Sequence, residues 1–328
     1  GITYLPLSYP PFVDEDRDLG FPGPFSSYPE EDFFDAVGLD RPEREKIDSL
    51  AAMEEVILSH DPRIVATRNY ELRESRLTMT IANSAGMTAE GRKTLYSLFA
   101  LAVAKEEEDV SSWNWTWAHR LSEIDFEDFG RKLAGKAVSQ LSARQLQTGI
   151  YEGILTPRAV CDILEILSGS FLGENLFKKK TKLDGKVGQR SFSKTISIVD
   201  SGLRGTGGFP FDGEGVPARE NLLVQDGVLR GFLFDSYYGK KLGFDSTGNG
   251  IRPGIKDPPK CSAGGFFIEP GPDDIWATYA DGIIIDELMG THTANPITGD
   301  FSVGAMGYER RGGEDLPFSG VIFSGNVF

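Results

Sequence analysis

Histidine and cysteine are scarce in this chain, with three and two among 328 residues. His60, His119 and His292 lie far apart and make no local ligand set, although a fold can bring distant residues together. Cys161 and Cys261 are too few for a disulfide framework and lack metal-ligand spacing. A reduced, cytoplasmic chain is the simplest reading. No run of about 18 apolar residues occurs, and no basic flank leads into an apolar core near the start, so neither a membrane span nor a signal peptide is visible. Basic residues are outnumbered, 34 to 49, giving a formal charge of −15. Such a surface repels phosphate backbones and argues against a nucleic-acid partner. The dense cations Lys178, Lys179, Lys180 and Lys182 read as a solvated loop following a helix, where they suit the negative end of its dipole. No Gly-x-Ser-x-Gly elbow is present. The glycines at 205–208 lack the lysine and hydroxyl residue of a phosphate loop.

What is present begins with enough apolar residues, 40% of the chain, to bury a substantial core in one large domain or two. Residues 1–28 are rich in proline and aromatics and read as extended or irregular, with 1–26 the remnant of an amino-terminal domain. Helical spacing covers 42–60, which Asp61-Pro62 stops. Strand patterns follow at 64–67, 76–81, 94–104 and 111–119, with the acidic run Glu106 to Asp109 at a hairpin tip. In the last strand Trp113, Trp115 and Trp117 share one face. Such a stripe can stack ligands, but the simpler expectation is a sheet face covered by the helix carrying Phe126, Phe129, Leu133, Ala137 and Leu141. A second helix is signalled at 157–168, capped by Thr156 and closed by Gly169. The expected architecture is α+β: a central domain of helices and antiparallel strands at 27–144, then a larger glycine-punctuated, strand-dominated domain at 145–328 with one helix packed on it.

The tract from Gly205 to Gly250 holds eleven glycines among large apolar residues. It is no linker, because Leu222, Leu223, Val224, Phe232 and Phe234 demand burial. Asp226-Gly227 signals a two-residue hairpin turn. Asp212 and Glu214 in FDGEG, with Asp300 in TGDF, are acids in glycine turns; these bond backbone amides or, alternatively, pair as acids or hold a cation.

Three blocks in order, GTGGFPFDGEGVPAR, VQDGVLRGFLFDSYYGKKLGFDSTGNG and ELMGTHTANPITGDFSVGAMGYE, resemble the carboxyl-terminal domain of the TldD/PmbA family. That family has been described as modulators of DNA gyrase and as zinc proteases. The resemblance is detailed over residues 148–328 and looser before them, and its wording is nearer the PmbA (TldE) branch. In metal-bearing TldD-type relatives a helix carries His-Glu-x-x-x-His. Placed on this chain, the motif falls on Leu164, Glu165, Ile166, Leu167, Ser168 and Gly169, so the glutamate remains while both imidazoles are missing. Leucine and glycine offer zinc no lone pair, and Glu165 is left as a possible remnant with no activated water. His292 is the only histidine inside a family block.

The resemblance therefore implies a metal-free, PmbA-type subunit of a peptidase assembly acting on unfolded peptides, with zinc in a TldD-type partner and none here. The groove residues it points to are Gly207, Asp212, Glu214, Gly215, Asn249, Gly299 and Asp300, shaping a surface where a peptide adds by main-chain hydrogen bonds. The alternative is a stand-alone homodimeric peptide-binding or scaffold protein. Further readings are a hydrolase completed by segments outside this chain and a nucleic-acid regulator. Family members carry more sequence on both sides, so the chain reads as a fragment.

Overall fold

Local signals place most of the elements in the computed structural model, which describes residues 16–328; the expected irregular segment at 1–15 lies outside the described residues. Asp35 caps a short helix, α1 (Ala36–Asp40), by accepting from the Gly38 amide. Helix α2 (Glu43–Ser59) buries Met53 and Ile57. Strands β1 (Ile64–Ala82), β2 (Thr88–Lys105) and β3 (Asp109–Ala118) form an antiparallel sheet in the order β1-β2-β3, with exposed Glu106 to Glu108 at the tip of the second hairpin. The two strand patterns expected at 64–67 and 76–81 are one 19-residue strand. Asn69, at φ 50°, sits in a register shift between Arg68 and Glu71, and this bulge breaks the sequence alternation without ending the strand.

Helix α3 (Phe126–Leu141), capped by Asp125, packs with α2 on one sheet face, against Tyr96, Leu98, Ala100, Ala102, Ala104 and Ala118. Gly130 lets it approach closely, since a Cβ there would stand 3.1 Å from the Met53 carbonyl oxygen. The tryptophans are not under this helix, contrary to expectation. Trp113, Trp115 and Trp117 lie on the opposite face, 37%, 48% and 45% exposed, while Ser112 is buried and Asn114 and Thr116 are partly buried. Register gives the reason: Ser112 pairs with Ala102 and Asn114 with Ala100, so small residues fill the side the helix approaches and leave no room for indoles.

The second half continues through β4 (Gly153–Leu155), α4 (Pro157–Ser168), α5 (Gly173–Phe177), β5 (Ile198–Ser201), β6 (Glu220–Gln225) and β7 (Val228–Leu229). It ends with α6 (Ser236–Leu242), β8 (Gly250–Ile251), β9 (Lys260–Cys261), β10 (Phe266–Ile268), α7 (Ile275–Thr278), β11 (Gly282–Met289), β12 (Asp300–Arg311) and β13 (Glu314–Asn326). These strands form two four-stranded sheets, β10-β5-β6-β7 and β13-β12-β11-β4, and a two-stranded ribbon of β8 and β9. Thr156 caps α4 by accepting from the Ala159 amide, and Pro157 opens the helix. Both sides of α4 are buried. Leu164 and Leu167 join a core with Phe171, Ile198, Leu223 and Leu229, while Ala159 and Ile166 join another with Ile283, Ile285 and Phe318. The β6-β7 turn has positive φ at both Asp226 (49°) and Gly227 (78°), as a type I′ hairpin requires. The architecture is α+β, in agreement with the sequence reading.

Candidate functional site

A cleft of about 240 Å³ opens where the outer face of the β1-β2 sheet meets the glycine tract. Leu77 of β1 and Lys93 of β2, directly paired in register, form one wall with Met79. Phe209 and Phe211 supply apolar surface, their rings 4.9 Å apart and edge to face. The opposite wall is backbone at Gly202, Gly207, Gly213, Gly248 and Gly264, together with Arg252 and Asp212.

Most of these glycines are set by contact of the chain with itself. A Cβ on Gly207 would lie 2.8 Å from the Gly264 carbonyl oxygen, and one on Gly213 would lie 2.7 Å from that of Gly250. Gly215 and Gly248 also have φ of 84° and 79°, a conformation side chains resist. The tract therefore folds tightly on itself first and forms a wall second.

Asp212 is the knot of that wall. One carboxylate oxygen accepts from the amides of Glu214 and Val216, at 2.9 and 3.0 Å, and the other from the Gly250 amide at 2.8 Å. The residue is 7% exposed. Burial, reinforced by nearby Glu214, pushes its pKa up to about 7 in spite of the three amides. Glu214 accepts from the Ser236 amide at the start of α6, and the Gly215 carbonyl accepts from the Tyr28 hydroxyl. Asp235 caps α6 through the Tyr238 amide, and burial raises it to about 6.

Asn249 is buried behind the same wall as a fully engaged amide. Its Nδ2 donates to Asp200 at 2.8 Å and to the Ser262 carbonyl at 3.0 Å, while its Oδ1 accepts from the Thr247 hydroxyl. Asp200, which the sequence did not single out, also accepts from the amides of Gly264 and Gly265. Its pKa is raised, again chiefly by burial.

Of the groove residues expected from the sequence, Gly207 and Asp212 line this cleft, while Glu214, Gly215 and Asn249 adjoin lining residues without lining it themselves. The structure does not bring Gly299 and Asp300 there. Gly299 sits beneath the Phe328 ring, and Asp300 accepts from the Asn326 side chain at the paired ends of β12 and β13. They belong to another sheet, a separation that turn composition does not reveal. Lys93 and Arg252 were missed, since a lone cation in a strand or after a glycine carries no pattern of its own. Lys93 Nζ donates to the carbonyls of Thr206 and Gly208 at 3.4 and 3.5 Å. Arg252 donates from Nε to the Gly213 carbonyl and from Nη1 to that of Asp257, both at 2.7 Å. His119 presents its two ring nitrogens to the carbonyls of Thr94 and Gly205, so it too ties the sheet to the glycine loop.

The zinc-motif positions, on α4 and at the residue that follows it, do not fit a metal. Leu164 is buried in the apolar core, Gly169 has no side chain, and Glu165 is exposed. Among the described residues no three His, Cys, Asp or Glu side chains converge as a ligand group. His292 lies in a short 3-10 turn, exposed.

A family model described as the PmbA/TldA metallopeptidase C-terminal domain matches residues 148–328, and one for the central domain matches residues 38–141. The chain belongs to the PmbA/TldD family. An uncharacterised protein of Methanocaldococcus jannaschii is 30% identical over 303 residues, 88% of this chain and 68% of that one. The metalloprotease PmbA of Escherichia coli O157:H7 is 28% identical over 288 residues, 86% of this chain but only 62% of its own length. Among solved structures, a Thermotoga maritima protein described as a candidate modulator of a DNA gyrase superposes with a TM-score of 0.86 at 26% identity, covering 94% of this chain and 72% of that one. TldE from Thermococcus kodakarensis superposes at 0.83 with 24% identity, covering 96% and 73%, and shows the shared fold. The family's middle and last domains are therefore represented here. No helix among the described residues is long and apolar enough to cross a membrane.

Proposed function

We propose that this chain is a metal-free, PmbA/TldE-like subunit of a cytoplasmic peptidase assembly, in which a TldD-type partner supplies zinc and this subunit holds unfolded peptide. The observation carrying the reading is the filling of the zinc-motif positions by Leu164 and Gly169, one committed to a hydrophobic core. A catalytic zinc site needs about three protein ligands and an open position for water, and no small movement of α4 creates them. The cleft offers backbone, two aromatic rings and two cations, the equipment of a site that grips main chain without cutting it. The outward tryptophans add apolar surface to the same sheet face, suited to a partner subunit or to the body of an extended peptide. Alignment with PmbA reaches over 86% of this chain, against 49% for a TldD homologue of Haemophilus influenzae, which favours the PmbA-type role.

The test is cleavage of an unstructured peptide by the full-length protein alone, by a TldD-type chain alone and by the mixture. The expected result is no cleavage by this chain and a gain on mixing, at least about tenfold over the partner alone, equivalent to about 1.4 kcal/mol. No gain on mixing would favour the stand-alone binding protein.

A further inference from the structure

Among the described residues the cations of the cleft form no ion pair with a carboxylate, although the chain has an excess of acid. Lys93 and Arg252 line one cavity. Among the described residues, all the contacts they make as hydrogen-bond donors are to backbone carbonyls. The two Lys93 contacts are long, and Arg252 Nη2 has no acceptor among the described residues. Burial pushes the Lys93 ammonium down, the mark of a desolvated cation without a counter-charge. Among the described residues the amides of Gly207 and Gly213 donate to nothing, and both residues line the same cavity. Asp212, the lining carboxylate, makes no direct hydrogen bond to either cation; its oxygens accept from the amides of Glu214, Val216 and Gly250.

We propose that this cleft captures a carboxylate of the bound peptide, its free carboxyl terminus, between Lys93 and Arg252, with Leu77, Met79, Phe209 and Phe211 receiving the last side chain. Guanidinium and ammonium groups meet a carboxylate through charge-assisted hydrogen bonds, and unpaired loop amides extend the same cradle. The cavity of about 240 Å³ lies below the usual range for whole ligands, about 300–1,000 Å³, and so suits the end of a chain. An extended polypeptide presents a carboxylate at its terminus or on Asp and Glu side chains. The terminal one enters without threading a second length of chain through the cleft. This inference rests on the peptide-holding role proposed above and names the group that role selects.

The experiment compares three dye-labelled peptides of one unstructured sequence by fluorescence anisotropy with the full chain: a free carboxyl end, a carboxyl-terminal amide, and an amide with glutamate next to the end. The free acid is expected to bind at least about tenfold more tightly than the amide, the scale of one charge-assisted contact. Arg252→Gln and Lys93→Gln should each erase most of that difference between acid and amide. Equal binding of acid and amide overturns carboxylate capture and leaves peptide holding intact. A glutamate amide that binds like the free acid overturns selection of the terminus. No binding of any of the three overturns both this inference and the peptide-holding role. Should either variant fail to fold, the acid-to-amide ratio of the unaltered protein decides.

Discussion

Replacing Asp212 with alanine is expected to lower stability by about 3–5 kcal/mol at pH 8, the scale of leaving three backbone amides without an acceptor at about 1–3 kcal/mol each. Three backbone amides, those of Glu214, Val216 and Gly250, lose their acceptor at once. Two of them fix the FDGEG turn and the third ties it to β8. Peptide binding should be lost together with the turn. Asp212→Asn should recover part of the loss, since its remaining oxygen can still accept from Glu214 and Val216. Urea denaturation of the three proteins measures the effect, and a loss under about 1 kcal/mol for the alanine variant would contradict the assigned role.

Stability is expected to rise as pH falls from about 8 to about 5.5, against the common trend of acid destabilisation. Burial holds Asp212 at about 7 and Asp235 at about 6, well above an unfolded aspartate near about 3.9. Between those limits the folded chain binds more protons than the unfolded one, so stability falls as pH rises through the window and levels off above the folded values. For Asp212 alone, the step from pH 8 to about 5.5 corresponds to about 2 kcal/mol. Half-buried Asp16 and Asp61, each lowered to about 2 by their cationic or hydroxyl partners, act in the opposite sense only below about pH 4. Thermal unfolding across a pH series at fixed ionic strength should therefore peak between these windows. Asp235→Asn keeps an acceptor for the Tyr238 amide and removes one titrating group, so it should flatten the slope. Stability that falls steadily from pH 8 to 5.5 would refute the burial argument.

Helix boundaries, the β6-β7 turn and the α+β class were legible because each is local. A Thr-Pro start, an Asp-Gly pair and an apolar stripe act within a few residues. The failures come from tertiary geometry. The tryptophan stripe read as core because indoles usually are, whereas Ala100 and Ala102 on the neighbouring strand had already decided which face the helices could approach. Strand β1 read as two pieces because the bulge at Asn69 shifts the alternation. At the site, the Asp212 carboxylate accepts from the amide of Gly250, next to Asn249, a link between distant turns that the sequence alone does not report. Gly299 and Asp300 share the same residue chemistry but sit in a different sheet, a placement no spacing rule reports. Lys93 lies far from Arg252 in sequence, and only the meeting of sheet and glycine tract makes them a pair.

Metal content decides whether this chain carries zinc chemistry. The purified full-length protein is equilibrated with zinc, desalted, and analysed by inductively coupled plasma mass spectrometry beside a TldD-type chain treated in the same way. Well under about 0.1 zinc per copy of this protein is expected, because the positions equivalent to the motif, Leu164 of α4 and Gly169 just after it, offer leucine and glycine in place of imidazoles. One tightly held zinc per copy, persisting through desalting, would contradict this expectation.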